Sequence, residues 1–270
     1  MKKKFIKLAS ILFPKTITSF AYDKLTNPQV RKLRENELVT LEKAESEDYA
    51  FKDFNIKLYK WLGGTNTILL IHGWEGQAGN FSDLIDALLD KGFTVYAFDA
   101  PSHGFSSKGE TSLFEFTELV AVLIKRFGVK NLISHSFGGV ATTYALFKNQ
   151  DLVMDNYVML TTPDKFTERI DDVSEIVGIT ENVKKRLIQR LEKENDIDVT
   201  TLNVSDFVKT MNVKKGLIIH DKNDQIIPIS RSKNVQVNWV NSDFKEITGT
   251  GHFRILRTPE VIDEVVAFFV

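Results

Sequence analysis

The stretch Leu132-Ile133-Ser134-His135-Ser136-Phe137-Gly138-Gly139-Val140 decides the fold class of this chain. An apolar run over residues 129–133 leads into it, and an apolar helical pattern over residues 140–147 follows it. This order predicts a strand, a very sharp turn and a helix. Such a turn strains its central residue and exposes that residue's side chain above the sheet edge, so Ser136 is predicted to present a nucleophilic hydroxyl. The backbone N–H of Phe137 would then lie at a helix N-terminus, where it can stabilise an oxyanion.

Apolar strands and amphipathic helices alternate on both sides of this stretch. Strand patterns cover residues 67–71, 93–98, 129–133, 156–160, 216–219 and 244–247, and helical patterns cover residues 81–89, 113–127, 229–240 and 259–269. This alternation is typical of a parallel sheet with helices on both faces. Residues 37–62 alternate in polarity, which predicts leading antiparallel strands. The expected fold class is therefore α/β, with a mostly parallel central sheet of about eight strands.

The alternation stops between residues 162 and 213. That span is rich in charge, has several helical patterns and contains no convincing strand. It is too long for a structureless loop, so we expect a small helical cap inserted after strand 6, over the edge of the sheet where ligands bind. The predicted organisation is a basic helical segment over residues 1–36 and an α/β domain over residues 37–270 that carries this cap.

The N-terminal residues 1–34 carry nine Lys and Arg against one acid, Asp23, a local excess of +8. The apolar residues between Phe5 and Phe13 mark roughly one helical face. Two interpretations stay open: a helix packed on the body with a basic outer face, or a helix that makes weak contact with a membrane surface or a partner. Lys7 and Pro14 interrupt the apolar run that a signal peptide needs, and no stretch is long enough to span a membrane. A cytoplasmic location is expected.

The composition of the 270-residue chain argues against several kinds of functional site. It has no cysteine and a net charge of −1, which excludes thiolate nucleophiles and gives no general attraction for nucleic acid. Phosphate-binding and dinucleotide-binding glycine motifs are absent, and histidines and acids lack metal-ligand spacing. We expect a small-molecule substrate and no cofactor, metal or nucleic-acid partner, and the sequence leaves the oligomeric state undecided.

A serine nucleophile needs a base to take its proton and an acid to orient that base. Of the five histidines, His252 follows the last strand in a glycine-rich loop and is the predicted base. The other four are predicted to be structural, because two end strands, one lies in a turn and one points away from the nucleophile: His72, His220, His103 and His135.

Four acids are candidates for the third position. Asp224 is favoured because the apolar pair and proline that follow it hold its place in the loop. Asp221 is interpreted as a surface turn residue, and Asp164 is a weaker candidate after an earlier strand. Asp99 precedes the Ser136 turn and is expected to be structural.

A second oxyanion donor is expected from an earlier strand-to-helix loop. The residues His72-Gly73-Trp74-Glu75-Gly76 occupy that place, and their glycines let the backbone approach a reacting oxygen closely. The N–H of Trp74 is the predicted donor, and the Trp74 and Phe137 side chains are expected to line the pocket.

These residues together resemble the α/β-hydrolase superfamily from about residue 67 onward. The resemblance is carried by His72-Gly73-Trp74, Asp99-Ala100-Pro101-Ser102-His103-Gly104, Ser134-His135-Ser136-Phe137-Gly138-Gly139, the loop from Asp224 to Pro228 and Gly251-His252-Phe253. Ser134 departs from the usual first glycine of the turn, and Asp221 stands where a glycine often follows the histidine of the acid loop.

The resemblance implies a serine hydrolase, of the carboxylesterase kind, with Ser136, His252 and Asp224 as its triad and the Trp74 and Phe137 N–H groups as its oxyanion hole. Its expected substrate is an ester, thioester or amide of small to medium, partly apolar character. Two alternatives stay open because fold alone does not determine reaction: C–C hydrolysis or acyl transfer on the same residues, or a non-catalytic binding module.

Overall fold

A computed structural model of the chain describes residues 2–30 and 32–270. Its centre is one eight-stranded sheet in the order β1-β2-β4-β3-β5-β6-β7-β8. The strands are β1 (Glu45–Phe51), β2 (Phe54–Trp61), β3 (Thr67–Ile71), β4 (Thr94–Phe98), β5 (Asn131–His135), β6 (Met154–Leu160), β7 (Val213–Asp221) and β8 (Ser242–Ile247).

The sheet is antiparallel at its first edge and parallel elsewhere. β1 pairs with β2, and β2 with β4, in antiparallel register, whereas every pairing from β4 through β3 to β8 is parallel. Ile133 of β5 lies between Leu70 of β3 and Val158 of β6, so β5 is central. Parallel neighbours end at one edge, and the loops after β3, β5, β7 and β8 therefore meet there. The predicted fold class is confirmed.

Twelve α-helices occur in the described part of the chain. They are α1 (Lys2–Leu12), α2 (Pro14–Thr26), α3 (Glu35–Glu42), α4 (Ser82–Asp90), α5 (Leu113–Phe127), α6 (Phe137–Lys148), α7 (Phe166–Val177), α8 (Glu181–Asn195), α9 (Val204–Phe207), α10 (Ile229–Asn238), α11 (Gly251–Arg254) and α12 (Pro259–Phe269).

Apolar cores cover both faces of the sheet. On one face, buried side chains of α5, α6, α9 and α10 pack against the strands. On the other face, the buried side chains come from α3, α4 and α12. Burial on both faces is the reason that β3 and the second half of β6 consist largely of consecutive apolar residues rather than an alternating pattern.

The N-terminal helices pack on the helices between β6 and β7. Ala21 and Tyr22 of α2 share a small apolar core with Ile170, Leu187 and Leu191 of α7 and α8. The helices that the sequence predicted over residues 162–213 therefore pack against α2, whose last residue, Thr26, also accepts a hydrogen bond from the Thr111 N–H. The division of the chain into a segment over residues 1–36 and a domain over residues 37–270 with an inserted cap stays a prediction.

Residues 37–42 contradict the predicted start of the antiparallel strands, because they form α3 and β1 begins only at Glu45. The Glu37 carboxylate accepts a hydrogen bond from the Arg34 N–H, at 2.6 Å, and caps the first turn of this helix. Glu37, Thr40 and Leu41 are its buried residues, a spacing that fits one helical face. An alternation of polarity over so few residues does not separate the two structures.

In the part of the chain that the structure describes, no helix combines the length and the apolar character that crossing a membrane requires.

Candidate active site

Ser136 lies at the turn between β5 and α6 and has a strained backbone. Its φ is 52° and its ψ is −122°, a combination that a residue with a Cβ rarely adopts. Its N–H donates to the carbonyl oxygen of Leu160 at 2.9 Å, and its own carbonyl accepts from the Gly139 N–H at 2.8 Å. Bonds to β6 and to α6 therefore hold the turn on both sides, with the Ser136 hydroxyl at the sheet edge.

The start of α6 packs directly against the end of β3, and this requires a glycine. A Cβ built on Gly138 would lie 2.4 Å from the carbonyl oxygen of His72 and 2.5 Å from that of Ile71, both rigid backbone atoms. A Cβ on Gly73 would likewise lie 3.4 Å from the Phe137 nitrogen. The loop after β3, which contains Trp74, and the first turn of α6, which contains Phe137, are therefore adjacent.

His252 lies beside the Ser136 hydroxyl. Its Nε2 is 3.1 Å from Ser136 Oγ, although 116 residues separate the two along the chain. It occupies the short helix α11 immediately after β8, and Gly249 and Gly251 before it have φ values of 87° and 62°. These left-handed positions, which glycine adopts without a steric penalty, let the chain turn back over the sheet edge.

Asp224 orients His252. Its Oδ2 accepts a hydrogen bond from His252 Nδ1 at 2.8 Å, and its Oδ1 accepts from the Ile226 and Ile227 N–H groups at 2.7 and 3.0 Å. His220 Nε2 lies 3.5 Å from the same Oδ2. Burial raises the pKa of the Asp224 carboxyl, but the hydrogen bonds from His220 and His252 outweigh it and hold the pKa well below its ordinary value. Asp224 is thus a carboxylate that fixes which nitrogen of His252 faces Ser136.

Asp221 is a correction to the sequence analysis, because it is fully buried rather than a surface turn residue. Strand β7 extends to this residue, so its carboxylate points under the loop that follows β8. It accepts hydrogen bonds from the Thr250 and Gly251 N–H groups and the Thr250 hydroxyl. Burial raises its pKa, but these bonds hold the pKa below its ordinary value. It braces the segment that carries His252 without contacting Ser136.

The other weighed acids lie in structural networks. Asp164 accepts from the Ser205 N–H and from the Asn234 side-chain amide, which ties the loop after β6 to α9 and α10. Asp99 accepts from the Ala78 and Phe105 N–H groups and from the Tyr59 hydroxyl. Neither residue hydrogen-bonds to His252.

The remaining four histidines are buried and bonded. His72 Nδ1 donates to the Gly73 carbonyl at 2.7 Å, and its Nε2 accepts from the Ala100 N–H at 3.0 Å. His103 Nδ1 donates to the Pro101 carbonyl at 2.8 Å, and its Nε2 accepts from the Glu75 N–H at 3.2 Å. Burial lowers the pKa of both rings, for His103 to about 4.

Two of these histidines contact the site in a way that their positions in the sequence did not predict. His135 Nε2 donates to the backbone carbonyl of His252 at 2.9 Å, and burial lowers the pKa of this ring to about 3. His220 hydrogen-bonds to Ser232 and to the Ile227 carbonyl besides approaching Asp224. His135 and His220 therefore support the positions of Asp224 and His252. The one signal in the sequence for this role is that each of the two lies at or near the end of a strand.

Ser134, the departure from the usual glycine, is accommodated by a polar contact. Its hydroxyl lies 2.7 Å from the Tyr157 hydroxyl on the neighbouring strand β6, and both residues are buried. The Ser134 hydroxyl therefore has a hydrogen-bonding partner, and the turn between β5 and α6 accommodates the serine as it stands.

A cavity of about 190 Å³ opens from Ser136 and His252 toward α7. The rings of Trp74 and Phe137, whose centroids are 5.3 Å apart, lie on one side of it. Ile226, Ile227 and Phe166 add further apolar surface, and Arg169 and Arg231 add cationic groups. A second cavity, of about 230 Å³, meets the same serine and histidine from the side of Gly73 and Arg257. Within the described ranges, no cluster of three or more His, Asp or Glu side chains is arranged to hold a metal ion.

The family model for the α/β-hydrolase fold matches residues 66–196 of this chain. An uncharacterised hydrolase of Bacillus subtilis is 24% identical over an alignment that covers 77% of this chain and 90% of that protein.

Solved structures give the same fold. An esterase from Pyrococcus furiosus superposes with a TM-score of 0.64 at 18% identity, covering 91% of this chain and 97% of that one. A thioesterase domain from the curacin biosynthetic pathway superposes with a TM-score of 0.60 at 16% identity, covering 83% of this chain and 98% of the domain. At these identities the likeness concerns the fold, and it confirms the resemblance that the sequence motifs predicted.

Proposed function

This chain is an α/β-hydrolase-fold protein, and from that premise we propose that it is a serine hydrolase that cleaves a carboxylic ester, or a thioester or amide, through an acyl-enzyme. The observation that carries the proposal is the continuous path of contacts from Ser136 Oγ to His252 Nε2, at 3.1 Å, and from His252 Nδ1 to Asp224 Oδ2, at 2.8 Å. A serine, a base and an orienting carboxylate in this order are the parts that acyl transfer needs.

In the proposed first step, Ser136 Oγ attacks the substrate carbonyl carbon while His252 Nε2 takes the hydroxyl proton. The Asp224 carboxylate accepts a hydrogen bond from the Nδ1–H group of His252 and stabilises the imidazolium that forms, while the Nδ1 proton stays on His252. When the tetrahedral intermediate collapses, His252 gives its new proton to the departing alcohol, thiol or amine, and the acyl group stays on Ser136.

The oxyanion of that intermediate needs donors on the side opposite His252. We assign this role to the N–H groups of Phe137 and Trp74. Phe137 is the first residue of α6, so its N–H has no partner within the helix. The contact between the Gly73 loop and the start of α6 supports the assignment of Trp74. Donors of this kind are worth about 10²- to 10³-fold in kcat when one is removed.

Water completes the cycle. His252 removes a proton from water as it attacks the acyl carbonyl, and then returns that proton to Ser136 Oγ as the acid leaves. The aromatic and aliphatic lining of the cavity near Ser136 supports a substrate of small to medium size with an apolar portion.

The test is hydrolysis of p-nitrophenyl esters of increasing chain length by the wild-type chain and by Ser136→Ala. The proposal predicts turnover by the wild type and a loss of at least about 10³-fold in kcat for the variant, with unchanged circular dichroism. Ser242→Ala, at the start of β8 and thus at the opposite edge of the sheet, is the matched control. Equal turnover by Ser136→Ala would contradict the proposal, and faster release of product to added alcohol than to water would point to acyl transfer instead.

A further inference from the structure

Two arginine side chains, Arg169 and Arg231, line the cavity beside Ser136, and they differ in their partners. Arg231 forms two short contacts with the Asp172 carboxylate, at 2.5 and 2.9 Å, and its Nε lies 3.0 Å from the Glu168 carboxylate. The guanidinium of Arg169, on the same helix α7 as Asp172, forms no hydrogen bond or ion pair with any residue in the described ranges 2–30 and 32–270.

The neighbouring acids are already engaged. Asp172 gives both of its oxygens to Arg231, and Asp164 gives its oxygens to the Ser205 N–H and to Asn234. Glu75 accepts from the Gln29 N–H at 3.2 Å. Asp172 and Glu75 therefore act on Arg169 only from a distance, through their charge.

The surroundings of Arg169 do not compensate its charge. Burial lowers the pKa of its guanidinium, the charges of Asp172 and Glu75 offset this in part, and the nearby Arg231 lowers the pKa further. A desolvated guanidinium gains substantially from an anion that reaches it, because the charge-assisted contact replaces hydration that the site has removed.

We propose that Arg169 binds a carboxylate carried by the substrate, so that the enzyme acts on esters whose acyl part ends in a carboxylate. The guanidinium and the Ser136 hydroxyl line the same cavity, so one substrate can place its carbonyl at Ser136 and its carboxylate at Arg169. A carboxylate suits one guanidinium because its two oxygens match the two parallel N–H bonds. A phosphate dianion is matched less well here, since Arg231 is held by Asp172 and Glu168 and the other cation of the lining, Lys165, is exposed to water at the rim.

This inference rests on the proposed function only for the position of the ester carbonyl. It is tested with two matched substrates, p-nitrophenyl hydrogen glutarate and p-nitrophenyl valerate, which have acyl chains of equal length with and without a terminal carboxylate. For Arg169→Gln, the ratio of kcat/KM for the glutarate over the valerate should fall by roughly 10- to 100-fold, the range for a hydrogen bond to a charged group. Lys165→Gln, which removes an exposed cation from the rim of the same cavity, should change the ratio less than about threefold because water screens that charge.

A binding measurement separates this inference from the hydrolytic one. Calorimetry of monomethyl glutarate with Ser136→Ala should give saturable binding that weakens at least about tenfold in the Arg169→Gln, Ser136→Ala double variant. Equal ratios for wild type and Arg169→Gln, or an equal loss in Lys165→Gln, would overturn the carboxylate site while leaving the hydrolase. Arg169-dependent binding without turnover of either ester would leave the site and overturn the hydrolase.

An independent observation concerns the outer face of α1. The large apolar side chains of Phe5, Leu8, Ile11 and Leu12 are 55 to 72% exposed, and Phe13 directly after the helix is 62% exposed. At the helical spacing of 100° per residue, the first four fall on one side of α1, whereas Ser10 on the opposite side is buried. Lys4 and Lys7 of α1 border this face, Lys15 follows at the start of α2, and all three are exposed.

We infer that α1 lies on an anionic lipid surface. No ion pair with a described residue engages Lys4, Lys7 or Lys15, so their charges are available to lipid headgroups while the apolar side chains enter the interface. A patch of this kind on a monomer marks an interaction site. Because lysines border the apolar face, we expect this face to bind an anionic membrane rather than an apolar groove of another protein.

The test is co-sedimentation of the full chain with vesicles of phosphatidylcholine and phosphatidylglycerol in equal parts. Binding should exceed that to phosphatidylcholine alone and should fall at least about tenfold in Phe5→Glu, Leu8→Glu. The control is the double variant Val237→Glu, Val240→Glu, which adds two charges outside α1 at side chains that are 76 and 94% exposed. It should bind like wild type. Absence of wild-type binding, equal loss in both variants, or a dimer that only the α1 variant dissociates would overturn the inference.

Discussion

Asp224 is the residue on which the protonation of the proposed triad depends. Two backbone N–H groups hold one of its oxygens, and His252 and His220 approach the other. Its carboxyl therefore stays ionised, and its charge is directed at His252 Nδ1. The position of this acid, rather than its charge alone, is what makes His252 Nε2 an acceptor toward Ser136.

Asp224→Asn should lower kcat about 10³- to 10⁴-fold with a small change in KM, because an amide can favour the wrong tautomer of His252. Steady-state kinetics on a p-nitrophenyl ester would measure this loss. Asp164→Asn is the matched control, since Asp164 contacts Ser205 and Asn234 rather than His252. An equal loss of kcat in both variants would contradict the role of Asp224.

Sequence reasoning distinguished the four acids only in part, and the reason is physical. Ser136 and His252 were readable because each follows an apolar strand within a glycine-rich turn. Asp221 is the last residue of β7 and Asp224 lies three residues later in the loop that follows, and both contact residues near the end of the chain, Thr250, Gly251 and His252. Local sequence carries no signal for such long-range bonds, so Asp221 was placed at the surface.

At the scale of elements, the contact between α6 and β3 brings the proposed oxyanion donors together. Gly138 packs against the carbonyl oxygens of Ile71 and His72, and the Gly73 loop follows directly. A larger residue would push α6 away from β3 and separate Phe137 from Trp74. The loop after β3 and the turn after β5 are thus one structural unit.

Gly138→Ala should lower the free energy of unfolding by about 2 to 4 kcal/mol and reduce kcat, because its Cβ would meet rigid backbone. Urea denaturation would measure the loss. Gly128→Ala is the matched control. That glycine has a φ of 61° but no atom within 4 Å of its built Cβ, so it should cost only about 1 kcal/mol and leave kcat intact. Equal losses of stability would contradict the packing argument.

The contacts of single elements also explain why the prediction of a strand over residues 37–42, which lie in α3, was wrong. Residues 37–42 carry both an alternating and a helical pattern, and the choice between them depends on the Glu37 cap and on the hydrogen bond that the Asn80 side chain donates to Glu37. The long helices, such as α5 over residues 113–127, were readable because many turns repeat the same face. The long helices were therefore easier to predict from the sequence than the short helix α3.

At the scale of the molecule, one parallel sheet gathers residues that are distant in the chain. The loops after β3, β5, β7 and β8 supply Trp74, Ser136, Asp224 and His252 at a single edge. This convergence was predictable from the alternation of strands and helices. The cavity that the helices after β6 form was not, since the pairing of Arg231 with Asp172 and the isolation of Arg169 depend on how α7 packs against α10.

The buried neutral histidines make global stability depend on pH. His103 has a folded pKa of about 4 against an ordinary value of 6.5, because burial disfavours the charged ring and the nearby Lys108 charge adds to this effect. Below pH 6.5 the unfolded chain takes up a proton that folded His103 does not. The stabilisation is therefore fully present above that pH and is lost as the pH falls toward the folded pKa.

His103→Gln, which keeps one donor and one acceptor, should flatten the pH dependence of the free energy of unfolding between about pH 4 and 6.5, by up to about 1.4 kcal/mol per pH unit. Chemical denaturation at several pH values in this window would measure the slope. Lys91→Gln, at the exposed end of α4, should keep the wild-type slope. Parallel curves for His103→Gln and wild type would contradict this account.

The central claim is that Ser136 is the nucleophile of an acyl-transfer site, and the most direct measurement is the location of a covalent adduct. The wild-type chain would be incubated with a fluorophosphonate, digested and mapped by mass spectrometry. The account predicts one adduct, on Ser136, which disappears in Ser136→Ala and forms far more slowly in Asp224→Asn. An adduct on another residue, or no adduct on a folded wild-type chain, would contradict it.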